Sequence, residues 1–276
     1  MVPVSVVIIA QNKNEIIPGC IDMIRLITDD IVIVDNQLDN GVDNPSSTGC
    51  RVYHQQWDNY ASNKNKGISL AKYNWILSID SDEIPDIRLV RALHGLKLTD
   101  PEMVYDIKFK SYFGKKLIRF GKWGGDHHVR LFNRDVITWS ESPVHETLTL
   151  IAGTQIQPLN GYIHHYSVRD AAECRSKAIK YAVLGAQKCY LLGKKATLLK
   201  RYGSPAFNFI KNYLLYLGFL DGTEGWTIAV ASVNQTWIKY HLLNQMEVND
   251  KFKPIYADKS LMMKLQPVPT NSYDNG

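Results

Sequence analysis

The strongest constraint on the fold is the alternation of strand-like and helix-like stretches in the N-terminal half. Short runs of β-branched and other apolar residues predict buried strands, and the stretches between them repeat apolar residues at helical spacing. This alternation requires right-handed crossovers and a mostly parallel sheet with helices on both faces, an α/β fold. Strands are predicted at Val4–Ala10, Asp30–Val34, Val52–His54 and Trp75–Ile79, and helices at Glu15–Leu26 and Asn63–Tyr73.

Polar residues follow the ends of these predicted strands, where ligands bind in parallel α/β sheets. Crowded carboxylates raise one another's pKa unless a cation neutralises them, so a divalent metal is their natural partner. Two ordinary explanations remain open: Asp and Asn favour tight turns, and an isolated Asp-x-Asp is often an acidic turn before a helix. The residues concerned are Gln11, Asn12, Asp35, Asp39, Asp80 and Asp82.

The sequence contains neither of the glycine-rich loops that commonly hold nucleotides. It has no G-x-x-x-x-G-K-[ST] and no G-x-G-x-x-G. A nucleotide held without such a loop needs its phosphates neutralised by a metal, which Asp80 and Asp82 can bind. Asp35 can accept a hydrogen bond from a base N–H or a ribose hydroxyl.

Composition narrows the class of protein. With 276 residues and 45% hydrophobic content, the chain can bury a full core. A net charge of +5 permits anionic ligands or lipids, but the basic residues are not gathered in one helix, so we expect no nucleic-acid partner. Four scattered cysteines predict reduced thiols in a cytoplasmic protein. The apolar N-terminus lacks a basic leader and is predicted to be a strand, not a signal peptide.

The order of the motifs resembles glycosyltransferase family 2. Val-Val-Ile-Ile-Ala-Gln-Asn is followed by Ile-Val-Ile-Val-Asp-(x)3-Asp, Lys-Asn-Lys-Gly and Trp-Ile-Leu-Ser-Ile-Asp-Ser-Asp-Glu. The similarity continues through Gly124–Arg134, Val144–Glu146, His164–Ser167 and Gly218–Gly222, and covers roughly residues 4 to 245. The fuller pattern resembles the bacterial β-1,4-glucosyltransferases that add sugars to the lipopolysaccharide core.

This resemblance implies a GT-A fold and an inverting transfer of a hexose from a nucleotide sugar, most often a UDP-sugar. It also implies a glycan or lipid-linked acceptor and a divalent cofactor, Mg²⁺ or Mn²⁺. Two departures bear on base or sugar preference. Lys13 and Asn14 stand before Glu15, where the family often has Glu directly after Asn. The loop after Asp35 carries 36–38 as Asn-Gln-Leu, where Ser or Gly is usual.

Roles for individual residues follow from the same resemblance. The expected donor-binding residues are Ala10, Gln11, Asn12, Asp35, Asp39, Lys64, Asn65, Asp80 and Ser81. The expected metal ligands are Asp82 and Asp80, with His165 or His164. The expected phosphate or acceptor contacts are Lys122, Trp123, Arg130 and His145. Glu146 is the expected catalytic base, with Asp126 in reserve.

Local chemistry bears on several of these residues. Glu146 follows Pro-Val-His, a setting that can desolvate a carboxylate and raise its pKa, although a helix-starting acid also fits. Arg130 lies in an apolar, strand-like stretch, where a buried charge needs an acid or a phosphate as partner. His164 and His165 alternate faces if they lie on a strand, so only one can point at a metal. The lysines around Lys122 can stabilise a leaving diphosphate or merely form a solvated loop.

The C-terminal third changes character. Helices are predicted at Asp170–Leu192, from Pro205 to Phe219 and from Trp226 to Leu243. Their aromatic residues, together with several cations, favour a peripheral membrane contact, although packing against the catalytic domain explains them equally well. The predicted organisation is a catalytic domain at 1–168, a helical region at 169–247 and a loosely ordered tail at 248–276.

Two other functions remain open. A nucleotidyltransferase also uses a parallel sheet and an acid-bound metal, but usually carries a glycine-rich basic loop, which is absent after Ala10. A non-catalytic module that binds sugar nucleotides or anionic lipids has no need of a base. The presence of Asp80, Asp82 and Glu146 together therefore argues against it.

Overall fold

The computed structural model describes residues 1–10, 17–35, 49–55, 59–140 and 147–248. The strands are β1 Val4–Ala10, β2 Asp30–Asp35, β3 Arg51–His54, β4 Trp75–Asp80, β5 Glu83–Pro85, β6 Met103–Phe113, β7 Lys116–Leu117, β8 His127–Asn133 and β9 Gln155–Val168. The helices are α1 Ile17–Arg25, α2 Tyr60–Ser69, α3 Ile87–His94, α4 Ala171–Leu191, α5 Ser204–Phe209 and α6 Gly222–Val248. Helix α5 is flanked by π-helical turns at Leu199–Gly203 and Ile210–Leu215, and a 3₁₀ turn at Gly218–Asp221 precedes α6.

The described strands form one mixed sheet in the order β3-β2-β1-β4-β8-β6-β9-β5, with β7 on β6. Strands β1 to β4 pair in parallel, as the strand–helix alternation predicts. Their register places Ala10 opposite Asp35 and Ile9 opposite Asp80. The carboxyl ends of three neighbouring strands therefore meet at one edge, where the predicted ligand-binding residues Ala10, Asp35 and Asp80 lie.

The far end of the sheet curls back towards β4. Only Ser81 and Asp82 separate β4 from β5 in the sequence, yet β8, β6 and β9 stand between them in the strand order. In a flat sheet the two strands would be roughly 19 Å apart, at about 4.8 Å per step. Three peptide links span at most roughly 11 Å. The sheet must curl, and the turn after β4 closes the ring of strands.

Apolar side chains fill both faces of this sheet. Val4, Val6 and Ile8 belong to one buried cluster, and Val7 and Ile9 belong to another, as expected for successive residues of a central strand. Helix α2 packs tightly on the second face. A Cβ at Gly67 would lie 2.4 Å from Cγ1 of Val7, so glycine permits this close approach.

Several predicted boundaries are wrong. The helix predicted at Asn63–Tyr73 begins at Tyr60 and ends at Ser69, because the Asn59 side chain caps its start by accepting from the Ser62 N–H. The helix predicted from Pro205 to Phe219 starts one π-helical turn earlier and is broken at Leu217, whose φ is 57°. Strands β5, β7 and β9 and helix α3 were not predicted. Of the predicted tail 248–276, Val248 is the last residue of α6, and residues 249–276 lie outside the described residues.

The chain divides into two compact units. The first contains residues 1–110, 126–141 and 146–166, and the second contains 111–125, 142–145 and 167–276, within which only the residues given above are described. The division predicted after residue 168 stays a prediction. Within the described residues, none of the helices is both long and apolar enough to cross a membrane.

Candidate active site

Asp80, the last residue of β4, lies between two cations. Its Oδ1 is 3.2 Å from Lys64 Nζ, and its Oδ2 is 3.1 Å from Arg130 Nη2. The Lys64 and Arg130 side chains are only 3% and 8% exposed, so the carboxylate also compensates two buried charges. Burial raises the pKa of Asp80, but the charges of Lys64 and Arg130 outweigh burial and hold this pKa well below its ordinary value. Asp80 is therefore ionised.

Glu83 adds a second buried carboxylate to this cluster. Its Oε1 accepts a hydrogen bond from Arg130 Nη2 at 2.5 Å, and its Oε2 accepts one from the Asp80 backbone N–H at 3.0 Å. Burial raises the pKa of Glu83; Arg130 opposes this rise and Asp80 adds to it. Arg130 thus bridges two carboxylates from two strands, and it fixes the turn between them.

Asp82, on that turn, faces His165 on β9. His165 Nε2 lies 3.5 Å from Asp82 Oδ2, and the two side chains are 27% and 26% exposed. The Tyr166 N–H donates to the Asp82 carbonyl at 2.9 Å and fixes the backbone of the turn. Burial lowers the pKa of His165, but Asp82 and the neighbouring acids raise it, and the net shift is upward. The Asp82–His165 pair is about as accessible as the Asp80 side chain, which is 31% exposed, and more accessible than Lys64, Arg130 and Glu83.

The predicted alternation of the two histidines is confirmed. In the pairing of β5 with β9, Glu83 lies opposite His165 and Ile84 lies opposite His164. Burial and the charge of Lys110 lower the pKa of His164, in contrast to that of its neighbour. His165 is therefore the histidine that joins the acidic turn.

Helix α2 connects the cluster to Trp139. Lys64 Nζ lies 4.4 Å from the centroid of the Trp139 ring. Asn65 Nδ2 donates to the Trp139 carbonyl at 2.9 Å, and the Trp139 N–H donates to Asn65 Oδ1 at 3.1 Å. The amide of Asn65, predicted to bind the donor, is instead engaged with protein backbone. It fixes the chain just before residues 141–146.

The other predicted residues fall into three groups. Ala10 and the buried Asp35 lie at the same sheet edge as Asp80, Asp35 with its Oδ2 3.9 Å from His54 Nδ1, and Ser81 lies in the turn before Asp82. Asp126 pairs with His128, its Oδ1 3.1 Å from Nε2. Lys122 and Trp123 belong to the second unit, where Trp123 packs against an apolar cluster with Val168 and Cys174. The residues that lie outside the described ones are Gln11, Asn12, Asp39, His145 and Glu146.

The arrangement fits a divalent cation at Asp82 and His165. A carboxylate and an imidazole are both ordinary metal ligands, and here they face each other with part of their surface exposed. Asp80, expected to be a second acidic ligand, has both oxygens directed at side-chain cations instead. Across the described parts of the chain, no three His, Cys, Asp or Glu side chains form a metal-binding group.

Glu83 is a site residue for which no role was predicted from the sequence. Two features of the sequence could have indicated one. A third acid directly before the apolar Ile84-Pro85 pair suggests a buried carboxylate, and Arg130 in an apolar strand requires an acidic partner. The predicted pairing of Arg130 with an acid is confirmed.

Comparison with known proteins finds similar chains among glycosyltransferases. An uncharacterized glycosyltransferase of Rickettsia typhi is 24% identical over 267 residues, which cover 91% of this chain and 90% of that protein. One of Rickettsia prowazekii is 25% identical over 246 residues, covering 83% and 82%. Glucosyl-3-phosphoglycerate synthase from Mycobacterium tuberculosis, crystallised with Mg²⁺ and UDP, is similar at a TM-score of 0.31 and 22% identity, over 40% of this chain and 43% of that one.

The family model is decisive, because it matches half of the chain and most of the residues of the site. The model described as glycosyl transferase family 2 matches residues 5–142, half of the 276-residue chain. This range contains β1 to β4, the acidic turn and Arg130. The chain therefore belongs to glycosyltransferase family 2. It is an enzyme that transfers glycosyl groups from nucleotide sugars, and it has the α/β GT-A fold.

Proposed function

We propose that this enzyme transfers a hexose with inversion from a UDP-sugar to a hydroxyl of a glycan or glycolipid. The acceptor belongs to lipopolysaccharide core or a related cell-surface polysaccharide, and the reaction takes place in the cytoplasm at the inner face of the membrane. The acidic turn carries the proposal. Asp82 and His165 lie above a buried, charge-compensated cluster that fixes their positions.

Each charged residue at the turn has a part in this proposal. Asp82 and His165 would hold Mg²⁺ or Mn²⁺, and such a cation would supply positive charge near the departing diphosphate. Asp80 is kept ionised by Lys64 and Arg130, so it does not take a proton in the reaction. Asp35 accepts from the uracil or the ribose, alongside Ala10 and Ser81.

Inversion requires a base that removes the proton of the attacking hydroxyl. We assign this role to Glu146, which follows Trp139 by seven residues in the sequence; Asn65 holds the backbone of Trp139. Asp126 is the reserve candidate, but its carboxylate already pairs with His128. Glu146→Gln should leave UDP affinity intact and lower turnover by on the order of 10³-fold, as loss of a general base does. The opposite assignment follows if Asp126→Asn has this effect and Glu146→Gln does not.

The first experiment is calorimetric titration of the full chain with UDP, with and without Mn²⁺. We expect binding that requires the metal and that weakens by on the order of 100-fold in Asp82→Asn, because one charged ligand is lost. Asp22→Asn is the matched control, because Asp22 is 75% exposed on α1 and pairs only loosely with Arg25. Metal-independent UDP binding, or equal behaviour of the two variants, would contradict the metal assignment.

The product distinguishes the remaining alternatives. A glycosyltransferase releases UDP from a UDP-sugar, whereas a nucleotidyltransferase that makes a UDP-sugar releases pyrophosphate. A binding module releases neither. Metal-dependent hydrolysis of UDP-glucose to UDP without any acceptor, abolished in Asp82→Asn, supports the proposal without knowledge of the acceptor.

A further inference from the structure

The second unit exposes a row of large apolar side chains on the helical stretch 199–215. Exposure reaches 79% for Leu199, 61% for Tyr202, 60% for Phe207 and 64% for Leu215. A soluble protein rarely leaves so many neighbouring apolar groups in water. We call this feature the apolar ridge; it consists of Leu199, Tyr202, Phe207, Ile210, Leu214 and Leu215.

This stretch leaves large apolar side chains exposed, whereas an ordinary surface helix buries its apolar side. The first five ridge residues recur three to five positions apart, and Leu215 directly follows Leu214. The side that contacts α6 carries polar groups as well as Phe209 and Tyr213, whose ring centroids lie 5.7 and 5.4 Å from that of Trp226. Asn208 Nδ2 donates to Ser232 Oγ at 3.0 Å and to Thr236 Oγ1 at 2.8 Å, and Asn212 is buried. The ridge therefore faces away from α6 and is suited to an apolar partner.

The charge around the ridge has one sign. Residues 193–220 contain five cations and no acidic residue. Lys194 and Lys195 are exposed, and Lys211 Nζ lies 5.3 Å from the centroid of the Tyr216 ring. Apolar and aromatic side chains bordered by lysine and arginine are the composition of a surface that lies in the headgroup region of a bilayer. We propose that the apolar ridge docks on a membrane rich in anionic lipids.

Charge also disfavours the other two candidates for covering the ridge. A second copy related by two-fold symmetry would bring the same five cations against each other. Residues 249–276 carry four lysines and three aspartates, so they offer no acidic complement. An anionic bilayer satisfies both the apolar and the cationic parts of the surface.

This inference deepens the proposed function and rests on it in one respect: a lipid-linked acceptor gives a membrane-docked enzyme its substrate. Docking and donor binding are nevertheless measured separately. Vesicle binding without UDP binding would refute the proposed function alone, and UDP binding without vesicle binding would refute the docking surface alone.

The test is co-sedimentation of the full chain with vesicles of phosphatidylglycerol and phosphatidylcholine, and with phosphatidylcholine alone. We expect strong, salt-sensitive binding to the anionic vesicles only. The double variant Leu199→Glu/Phe207→Glu should bind on the order of tenfold or more weakly. Lys194→Gln/Lys195→Gln should lose roughly fivefold for each cation removed. The matched controls Ile151→Glu and Lys97→Gln change exposed residues outside this surface and should bind as the wild type does.

Three outcomes would overturn the proposal. One is the absence of vesicle binding in a protein that still binds UDP. Another is an equal loss in ridge and control variants. The third is a wild-type dimer that Leu199→Glu/Phe207→Glu dissociates, which would make a second copy the occupant. Retained UDP affinity and far-ultraviolet circular dichroism show that each variant is folded.

Discussion

Arg130 is the residue that makes the acidic turn stable. Two carboxylates within reach of one another at the end of a buried strand would repel and desolvate each other. The guanidinium of Arg130 contacts both of them, and Lys64 compensates Asp80 from the opposite side. The charge on the turn is thus balanced before any substrate binds. Asp80, Asp82 and His165 are the more accessible charged groups of this site.

Removal of Arg130 should make the protein easier to unfold. Arg130→Met leaves Asp80 and Glu83 without their shared cation and should lower the free energy of unfolding by about 3–5 kcal/mol, as measured by urea denaturation. Adding Glu83→Gln to this variant should restore part of the loss, because the two residues share one network. Arg25→Met, at a surface pair, should cost less than about 1 kcal/mol. Comparable losses in Arg130→Met and Arg25→Met would contradict this account.

Asp80 should make stability depend on pH in a definite direction. Its pKa is lower in the folded chain than its ordinary value of 3.8, so its ionisation stabilises the fold above that pH. The difference in free energy of unfolding between wild type and Asp80→Asn should therefore shrink as the pH falls below about 5. Urea denaturation at several pH values measures the difference. A difference in free energy of unfolding that widens towards acid pH would contradict this prediction.

At the scale of elements, helix α2 positions the site through its contact with β1. Gly67 allows the helix backbone to lie against Val7, and one turn earlier the same helix carries Lys64 to Asp80. The Lys-Asn-Lys-Gly motif thus combines a packing glycine with a charged side chain that points to the end of the sheet. A displacement of the helix is expected to move the lysine too.

Gly67→Ala tests this coupling. The added methyl would meet Val7, so overpacking should cost about 1–3 kcal/mol and also weaken UDP binding through Lys64. Gly95→Ala is the control, because a Cβ there would approach no atom closer than 3.5 Å. The double variant Gly67→Ala/Val7→Ala should recover stability. Unfolding curves measure the stability of the three variants, and titrations measure their UDP affinity. Equal effects of Gly67→Ala and Gly95→Ala would refute the coupling.

The sequence was sufficient to predict those elements that a local pattern of residues specifies. The parallel strands β1 to β4 were predicted because each is an apolar run next to helical spacing. Long-range pairing leaves no such signal. Glu83 and His165 are brought together by β5 and β9, neither of which was predicted, and the partner of Arg130 could be predicted only by type. The Asn65 amide was assigned to the donor from the resemblance. Its contact with Trp139 spans 74 residues, so no local pattern in the sequence indicates it.

At the scale of the whole molecule, ligand binding and stability are linked. A ligand that binds only the folded state stabilises it by about 2.7 kcal/mol at a concentration of 100 Kd. UDP with Mn²⁺ should therefore raise the Tm of the full chain by roughly 5–11 °C, and should raise that of Asp82→Asn by no more than about 2 °C. Differential scanning calorimetry measures the shift. If the two units melt separately, the first transition to respond should be that of the unit containing β4. A shift of equal size in Asp82→Asn would place the metal elsewhere.

The closed ring of strands has a consequence for the newly made chain. Arg130 follows Glu83 by 47 residues. A ribosome that adds about 5–20 residues per second therefore makes the acidic turn roughly 2–10 s before it makes Arg130. His165 is synthesised later still. During that interval the parallel strands can pair, but the turn stays hydrated and the sheet stays open. Activity is thus acquired late in synthesis, after the chain has produced the strand that neutralises its own acids.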